Sequence, residues 1–138
     1  ERLYAEKLSK MVQLETVSVR GEAQPEKFMA FHKLLRELFP KVFEACKYHE
    51  LEGSMLLKWK GKSSEKPVMF IGHMDVVEAS SPEAWKYPPF SGTIADGRVW
   101  GRGSGDTKMP MVIMLGSYVA FRQIYLFACK QVKHISVK

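Results

Sequence analysis

The stretch VMFIGHMDVV, residues 68–77, decides the expected fold of this chain. Its first four residues form a continuous apolar run between Pro67 and Gly72, the pattern of a strand that is covered on both faces in a parallel sheet. His73 then follows at the carboxyl end of that strand, where ligands collect in α/β sheets. The stretch therefore predicts an α/β fold with a polar site that begins at His73.

Two amphipathic helices are predicted before this strand. The second follows Pro25, repeats apolar residues at spacings of three and four, and stops at Pro40. Short apolar pieces within residues 42–59 flank a Glu-Gly pair and predict a strand, a turn and a strand. The first helix places four apolar residues close to one face: Leu3, Leu8, Met11 and Val12.

A hairpin and a third helix are predicted after the strand. The Asp-Gly pair at 96–97 suits a tight turn between the two short apolar pieces of residues 93–100. The glycines of residues 101–106 disfavour regular structure, and Pro110 is well placed to begin a helix that runs to about Phe127. This order of elements predicts the first part of an α/β domain.

Composition and charge indicate a single ordinary domain. With 138 residues, of which 46% are hydrophobic, the chain can bury one core. Residues 1–108 hold 17 of the 21 basic residues and all 15 acidic ones, so most of the net charge of +6 lies in residues 109–138. Because the signs are interspersed over the first 108 residues, we expect no nucleic-acid partner.

An apolar run, the two cysteines and the first residues of the chain bear on the cellular location of the protein. The uncharged run at 109–121 has 13 residues, too few for a membrane span, which needs about 20, so we expect a buried helix. Cys46 and Cys129 show no disulfide or metal spacing and are interpreted as buried thiols in a reducing compartment. No signal-peptide pattern is visible at the start, so we expect a cytoplasmic protein, although residue 1 is not Met and a removed leader stays open.

His73, Asp75 and Asp106 are the candidate site residues. Imidazole suits zinc, and the Asp75 carboxylate can accept the other ring N–H and fix the tautomer. A carboxylate in a loop of three glycines, as at Asp106, can approach closely and bridge two metal ions. The alternatives are a His that ends a strand, an Asp that makes a local turn and an Asp that caps the next helix. A phosphate-binding loop is disfavoured because no Gly-Lys-Ser/Thr ending follows.

Three motifs in this region together resemble a known family. GHMDVV at 72–77, W-x-x-P-P-F-S-G at 85–92 and DGRVWGRGSGDTK at 96–108 are similar to the zinc aminoacylase/carboxypeptidase family, metallopeptidase family 20. The resemblance spans about residues 1–108 and implies part of a three-layer α/β/α catalytic domain. It also implies hydrolysis of small peptides or N-acyl amino acids, with two zinc ions in a complete site.

The resemblance assigns roles to individual residues. It implies that His73 is a terminal ligand of one zinc, that Asp106 bridges both ions, and that Asp75 is the catalytic-site residue that orients His73. Arg102 and Lys108 match the family motif, and we assign them no chemistry. Four further residues resemble family wall and loop positions and are interpreted as packing residues: Trp85, Pro88, Pro89 and Phe90.

The chain departs from the family after Asp106. The family's Glu pair, which supplies the catalytic base and a further ligand, lies downstream of the bridging Asp, yet the 32 residues after Asp106 contain no Asp or Glu. We therefore interpret residues 109–138 as a divergent apolar and basic tail that forms a helix, and the chain as an incomplete, inactive hydrolase. His134 is interpreted as an ordinary tail residue, His32 as a core residue and His49 as a turn neighbour. The alternative is a non-catalytic interaction module with an open sheet edge.

Overall fold

A computed structural model describes residues 2–20, 24–61, 63, 65 and 67–124 of the chain. The chain alternates helices with two short antiparallel hairpins. A 3₁₀ turn covers Pro82–Ala84, and a wide helical turn over Ser104–Lys108 leads into the last helix. The elements are α1 (Arg2–Gln13), α2 (Pro25–Leu38), α3 (Pro40–Ala45), β1 (Lys47–Leu51), β2 (Ser54–Lys58), β3 (Thr93–Ala95), β4 (Arg98–Trp100) and α4 (Met109–Ile124).

The two helices predicted at the start of the chain are confirmed as α1 and α2. Pro25 occupies the first position of α2, where its fixed φ suits a helix and its missing N–H costs nothing. The end of α2 contacts α1 through Lys7, whose ammonium donates a hydrogen bond to the Leu38 carbonyl. Of the four apolar residues predicted on one face of α1, Leu3 is exposed and the other three are buried.

The segment after α2 was predicted in part. The Glu52-Gly53 turn is confirmed, since β1 pairs antiparallel with β2 and both turn residues have positive φ, 48° and 86°. The prediction of a strand from residue 42 was wrong, because residues 40–45 form α3. Pro40 begins that helix and its apolar residues pack into the core, and a short apolar run does not by itself distinguish a strand from a buried helix.

The second hairpin is confirmed as predicted. β3 pairs antiparallel with β4, with Thr93 opposite Trp100 and Ala95 opposite Arg98. Asp96 and Gly97 form the turn with φ values of 54° and 71°, as a two-residue turn with two left-handed residues requires. The hairpin fixes where the chain enters the glycine-rich segment at Gly101.

The predicted parallel strand at residues 68–71 was wrong for this structure. Residues 67–75 form neither helix nor strand, and the side chains of Phe70 and Ile71 are 61% and 76% exposed. A buried parallel strand needs neighbouring strands and a covering layer. An isolated parallel bridge joins Val17 to Val76, which lies after the apolar run and not in it.

The core lies where the helices meet. No helix among the described residues is long and apolar enough to cross a membrane, and α4 buries Met111 and Val112 as expected of a core helix. The predicted end of α4 near Phe127 lies outside the described residues. The buried core residues are Leu8, Met11, Val12, Phe31, Leu35, Phe39, Val42, Phe43, Met111 and Val112.

Two interpretations of polar residues concern the edge of this core. His32 is buried as predicted, and its Nδ1 lies 3.1 Å from the Tyr48 hydroxyl. Cys46 is half-buried against the core, and burial raises the pKa of its thiol to about 11. Cys129 and His134 lie outside the described residues, so their interpretations stay predictions.

Candidate metal site

The three candidate site residues lie together in the structure. His73 Nε2 is 3.2 Å from Asp106 Oδ1, although the two residues are 33 positions apart in the chain. On the other side of the ring, His73 Nδ1 is 2.9 Å from the Asp75 carbonyl oxygen and 3.2 Å from Asp75 Oδ1. The cluster is open to solvent, since the side chain of His73 is 50% exposed and that of Asp106 is 87% exposed.

The carbonyl contact determines the tautomer of His73. A carbonyl oxygen can only accept, so Nδ1 must carry the hydrogen that it shares with the Asp75 carbonyl. In the neutral ring Nε2 then presents a lone pair to the Asp106 carboxylate. Two acceptors at 3.2 Å repel each other unless a proton or another cation lies between them.

The negative charges around His73 also favour a positive charge on or beside its ring. Partial burial lowers the pKa of the imidazole, but its hydrogen bonds to the Asp75 carbonyl and the Asp106 carboxylate, together with both negative charges, outweigh burial. The pKa of His73 is therefore raised above its ordinary value. In the neutral ring the Nε2 lone pair and the Asp106 carboxylate together attract a cation, whereas in the protonated ring the proton on Nε2 supplies that positive charge itself.

The distance between the two acceptors fits zinc. A zinc ion binds His nitrogen and carboxylate oxygen at about 2.0–2.2 Å, and two such ligands at a tetrahedral angle are about 3.3 Å apart. The measured separation of 3.2 Å agrees with that value. No group of three or more His, Cys, Asp or Glu side chains arranged to hold a metal ion occurs among the described residues, so this cluster offers two donors.

Glycines allow the loop before Asp106 to pass close to its neighbours. At Gly103, where φ is +78°, a Cβ atom would lie 2.3 Å from Val76 Cγ1. The helical turn that follows is interrupted at Asp106 and Thr107, whose φ values of −119° and −125° are not helical, and the peptide bond between them is cis. The Asp106 carboxylate lies beside His73 Nε2, and its role as a metal ligand stays a prediction.

Sequence reasoning missed the role of Lys108. This lysine is fully buried, and its Nζ donates a hydrogen bond of 3.0 Å to the Leu14 carbonyl at the end of α1. The ammonium also lies 5.3 Å from the centre of the Phe31 ring, and burial lowers its pKa to about 8. Because lysine is normally an exposed residue, no sequence signal beyond its place beside Asp106 indicated this contact.

Trp85 and Pro89, interpreted as packing residues, contact the loop as that interpretation requires. The guanidinium of Arg102 lies 5.0 Å from the centre of the Trp85 ring, a cation–π distance. The backbone N–H of Arg102 donates to the Pro89 carbonyl at 2.7 Å, and Pro89 is buried. These contacts hold Trp85 and Pro89 against the glycine-rich loop.

Known proteins are similar to this chain over most of its sequence. The sequence model of peptidase family M20/M25/M40 matches residues 69–126, which include all three clustered residues. A probable carboxypeptidase S-like 2 of Dictyostelium discoideum is 38% identical over 121 residues, which cover 82% of this chain and 23% of that protein. The chain belongs to peptidase family M20. The N-fatty-acyl-amino acid synthase/hydrolase PM20D1 of Xenopus tropicalis is 37% identical over 117 residues, which cover 81% of this M20 chain and 23% of that protein.

A solved structure supports the fold assignment. The M20 chain superposes on human carnosine dipeptidase 1 with a TM-score of 0.63 and 23% sequence identity, over 88% of this chain and 28% of that one. The predicted α/β class, as part of a metallopeptidase catalytic domain, is confirmed. The chain spans about a quarter of the length of the curated relatives named above.

The family match also bears on the predicted division of the chain. The match continues to residue 126, so it extends into residues 109–138, which were predicted to be a tail that diverges from the family. The division at residue 108 stays a prediction. The two relatives named above are a probable carboxypeptidase and an N-fatty-acyl-amino acid synthase/hydrolase.

Proposed function

We propose that this chain carries part of the metal site of a hydrolase that cleaves peptide or N-acyl amino-acid amide bonds. The observation that supports this most directly is the His73 Nε2 lone pair facing Asp106 Oδ1 at 3.2 Å, a pair of acceptors with the spacing of two zinc ligands. The membership in the M20 family and the names of its relatives support the substrate class.

Each residue has a separate task in this proposal. His73 and Asp106 hold the metal ion, and Asp75 keeps Nδ1 protonated, so that Nε2 stays available as a ligand. A bound zinc would lower the pKa of water and polarise the amide carbonyl of the substrate. Asp106 would hold the metal ion and Asp75 pairs with Nδ1 of His73, so neither carboxylate of the cluster is free to accept the proton of an attacking water.

Zinc binding to the desalted chain tests the metal site. We expect calorimetry to show that His73→Ala and Asp106→Asn each weaken zinc binding on the order of 100-fold, because each removes one of two ligands. We expect Asp75→Asn to weaken it by about 10-fold, since it removes the charge that supports the ring.

Asp96→Asn is the matched control for Asp106→Asn. Asp96 is also an exposed carboxylate in a glycine-containing turn, but it pairs with Lys86 at 2.7 Å and lies outside the cluster. Its zinc affinity should equal that of the wild type. A wild-type chain that binds no zinc, or a His73→Ala variant that binds it as well as the wild type does, would rule out the site.

We further propose that the 138-residue chain does not hydrolyse amides by itself. The cluster at His73 offers two metal donors and no carboxylate free to act as a base, whereas the reaction needs both a held metal ion and a proton acceptor. The measurement is release of amino acid from N-acetyl amino acids and dipeptides by the zinc-loaded chain. Turnover that disappears in His73→Ala would contradict this part of the proposal.

A further inference from the structure

We propose that Thr107 is a positioning residue that holds the backbone of His73 and so sets the distance between His73 Nε2 and Asp106 Oδ1. The part of this inference that concerns metal binding rests on the proposed function. The contact itself, a side chain next to one ligand clamping the backbone of the other, is a feature of the structure alone.

The Thr107 hydroxyl makes two hydrogen bonds to one residue. The backbone N–H of His73 donates to Oγ1 at 3.1 Å, and the hydroxyl donates to the backbone carbonyl of His73 at 2.7 Å. A hydroxyl has one donor and two acceptor positions, so both contacts are made at once. The two backbone groups of His73 are therefore satisfied by a single side chain.

This clamp matters because His73 lies in no strand. Residues 67–75 have no helix or strand in the described structure, so no ladder of hydrogen bonds fixes the backbone at His73. Backbone N–H and C=O groups need partners, and the Thr107 hydroxyl takes the place of a neighbouring strand at this one residue.

The position of Thr107 in the chain makes the clamp specific to the site. Thr107 directly follows Asp106, so the bonds connect the backbone of one proposed ligand to the residue adjoining the other. Its β-branched side chain has restricted χ1 freedom, which keeps the hydroxyl in place. Lys108, the next residue, is tied to Leu14, so the loop that carries the clamp is itself anchored to the end of α1.

The test compares Thr107→Val with Thr107→Ser. Valine keeps the shape of threonine and removes the hydroxyl, whereas serine keeps the hydroxyl. We expect Thr107→Val to weaken zinc binding about 10-fold, as loss of a residue that orients a ligand does, and Thr107→Ser to stay within about twofold of the wild type.

Ser9→Ala separates positioning from a general loss of stability. The Ser9 hydroxyl donates to the Gly92 carbonyl at 2.6 Å, so its removal also costs a hydroxyl–carbonyl bond, here a buried one that lies away from the site. We expect zinc binding of Ser9→Ala to match that of the wild type. Equal weakening in Ser9→Ala and Thr107→Val would mean that Thr107 has only a structural role.

A readout without metal keeps this inference distinct from the proposed function. The ¹⁵N chemical shifts of the His73 ring, measured on the metal-free chain, should change in Thr107→Val and stay unchanged in Thr107→Ser and Ser9→Ala. Unchanged His73 shifts in Thr107→Val would overturn the positioning role, whatever the zinc affinity. If the shifts change in Thr107→Val while the wild-type chain binds no zinc, the clamp is supported and the metal site is rejected.

Discussion

Replacing Phe31 by alanine is expected to lower the free energy of unfolding by about 3–5 kcal/mol. Phe31 is fully buried in α2 at the centre of the core, and its ring also lies under the buried ammonium of Lys108. Alanine would leave a cavity and remove the aromatic face from that charge. The measurement is the midpoint of urea unfolding, with the denaturant slope fitted for each variant.

Met29→Ala is the control for this substitution. Met29 lies in the same helix two residues earlier, but it is 42% exposed and outside the core. We expect its effect to be within about 1 kcal/mol, because a partly exposed side chain has less apolar surface to lose. Similar losses for Phe31→Ala and Met29→Ala would contradict the position of the core described here.

Gly103→Ala is expected to cost about 2–5 kcal/mol of folding free energy, from a left-handed φ and from overpacking. The φ of Gly103 is +78°, and a Cβ atom there would lie 2.3 Å from Val76 Cγ1. The backbone of Val76 donates to the Thr16 carbonyl and accepts from the Ser18 N–H, which fixes it opposite Val17, so it cannot simply move aside. We expect both a lower urea midpoint and weaker zinc binding. The added methyl group would displace the backbone at Gly103 or Val76, each of which lies three residues from a proposed ligand.

Gly105→Ala tests whether this effect belongs to the loop in general. Gly105 is adjacent to Asp106, yet a Cβ atom at Gly105 would meet no atom within 4 Å, and its φ is not in the left-handed region. We expect its stability to stay within about 1 kcal/mol of the wild type. If Gly105→Ala were as damaging as Gly103→Ala, the contact with Val76 would not be the cause.

Elements governed by local signals were predicted correctly. The Asp96-Gly97 pair favours two successive left-handed residues, which a two-residue hairpin turn needs wherever it lies in a fold. Pro25 marks the start of α2 for a similar reason, because the proline ring constrains its own φ. In both cases the decisive energy lies within a few residues of the chain.

Elements that depend on distant partners were not predicted. The apolar run at 68–71 shows that these side chains favour burial, but whether they form a strand depends on neighbours that the run does not encode. The start of α3 was missed because Val42 and Phe43 fit the core equally well in either kind of element.

The candidate site shows the same division. His73, Asp75 and Asp106 could be named from their side-chain chemistry and from the family motif, and the structure brings them together. Thr107 and Lys108 were not given roles, because a hydroxyl or an ammonium binds many kinds of partner and its actual partner is set by the fold. The sequence thus predicted which groups gather at the site more readily than what holds them there.

The long-range hydrogen bonds around α1 have a consequence for the order of folding. The Ser9–Gly92, Thr16–Met74 and Lys108–Leu14 bonds join residues that are 83, 58 and 94 positions apart. Closing such long loops costs more chain entropy than closing a hairpin, so we expect the hairpins to form before the cluster at His73 is assembled. We expect local opening at the end of α1 to disrupt the cluster, because Thr16 there bonds to Met74, next to His73, and Leu14 accepts from Lys108, two residues after Asp106.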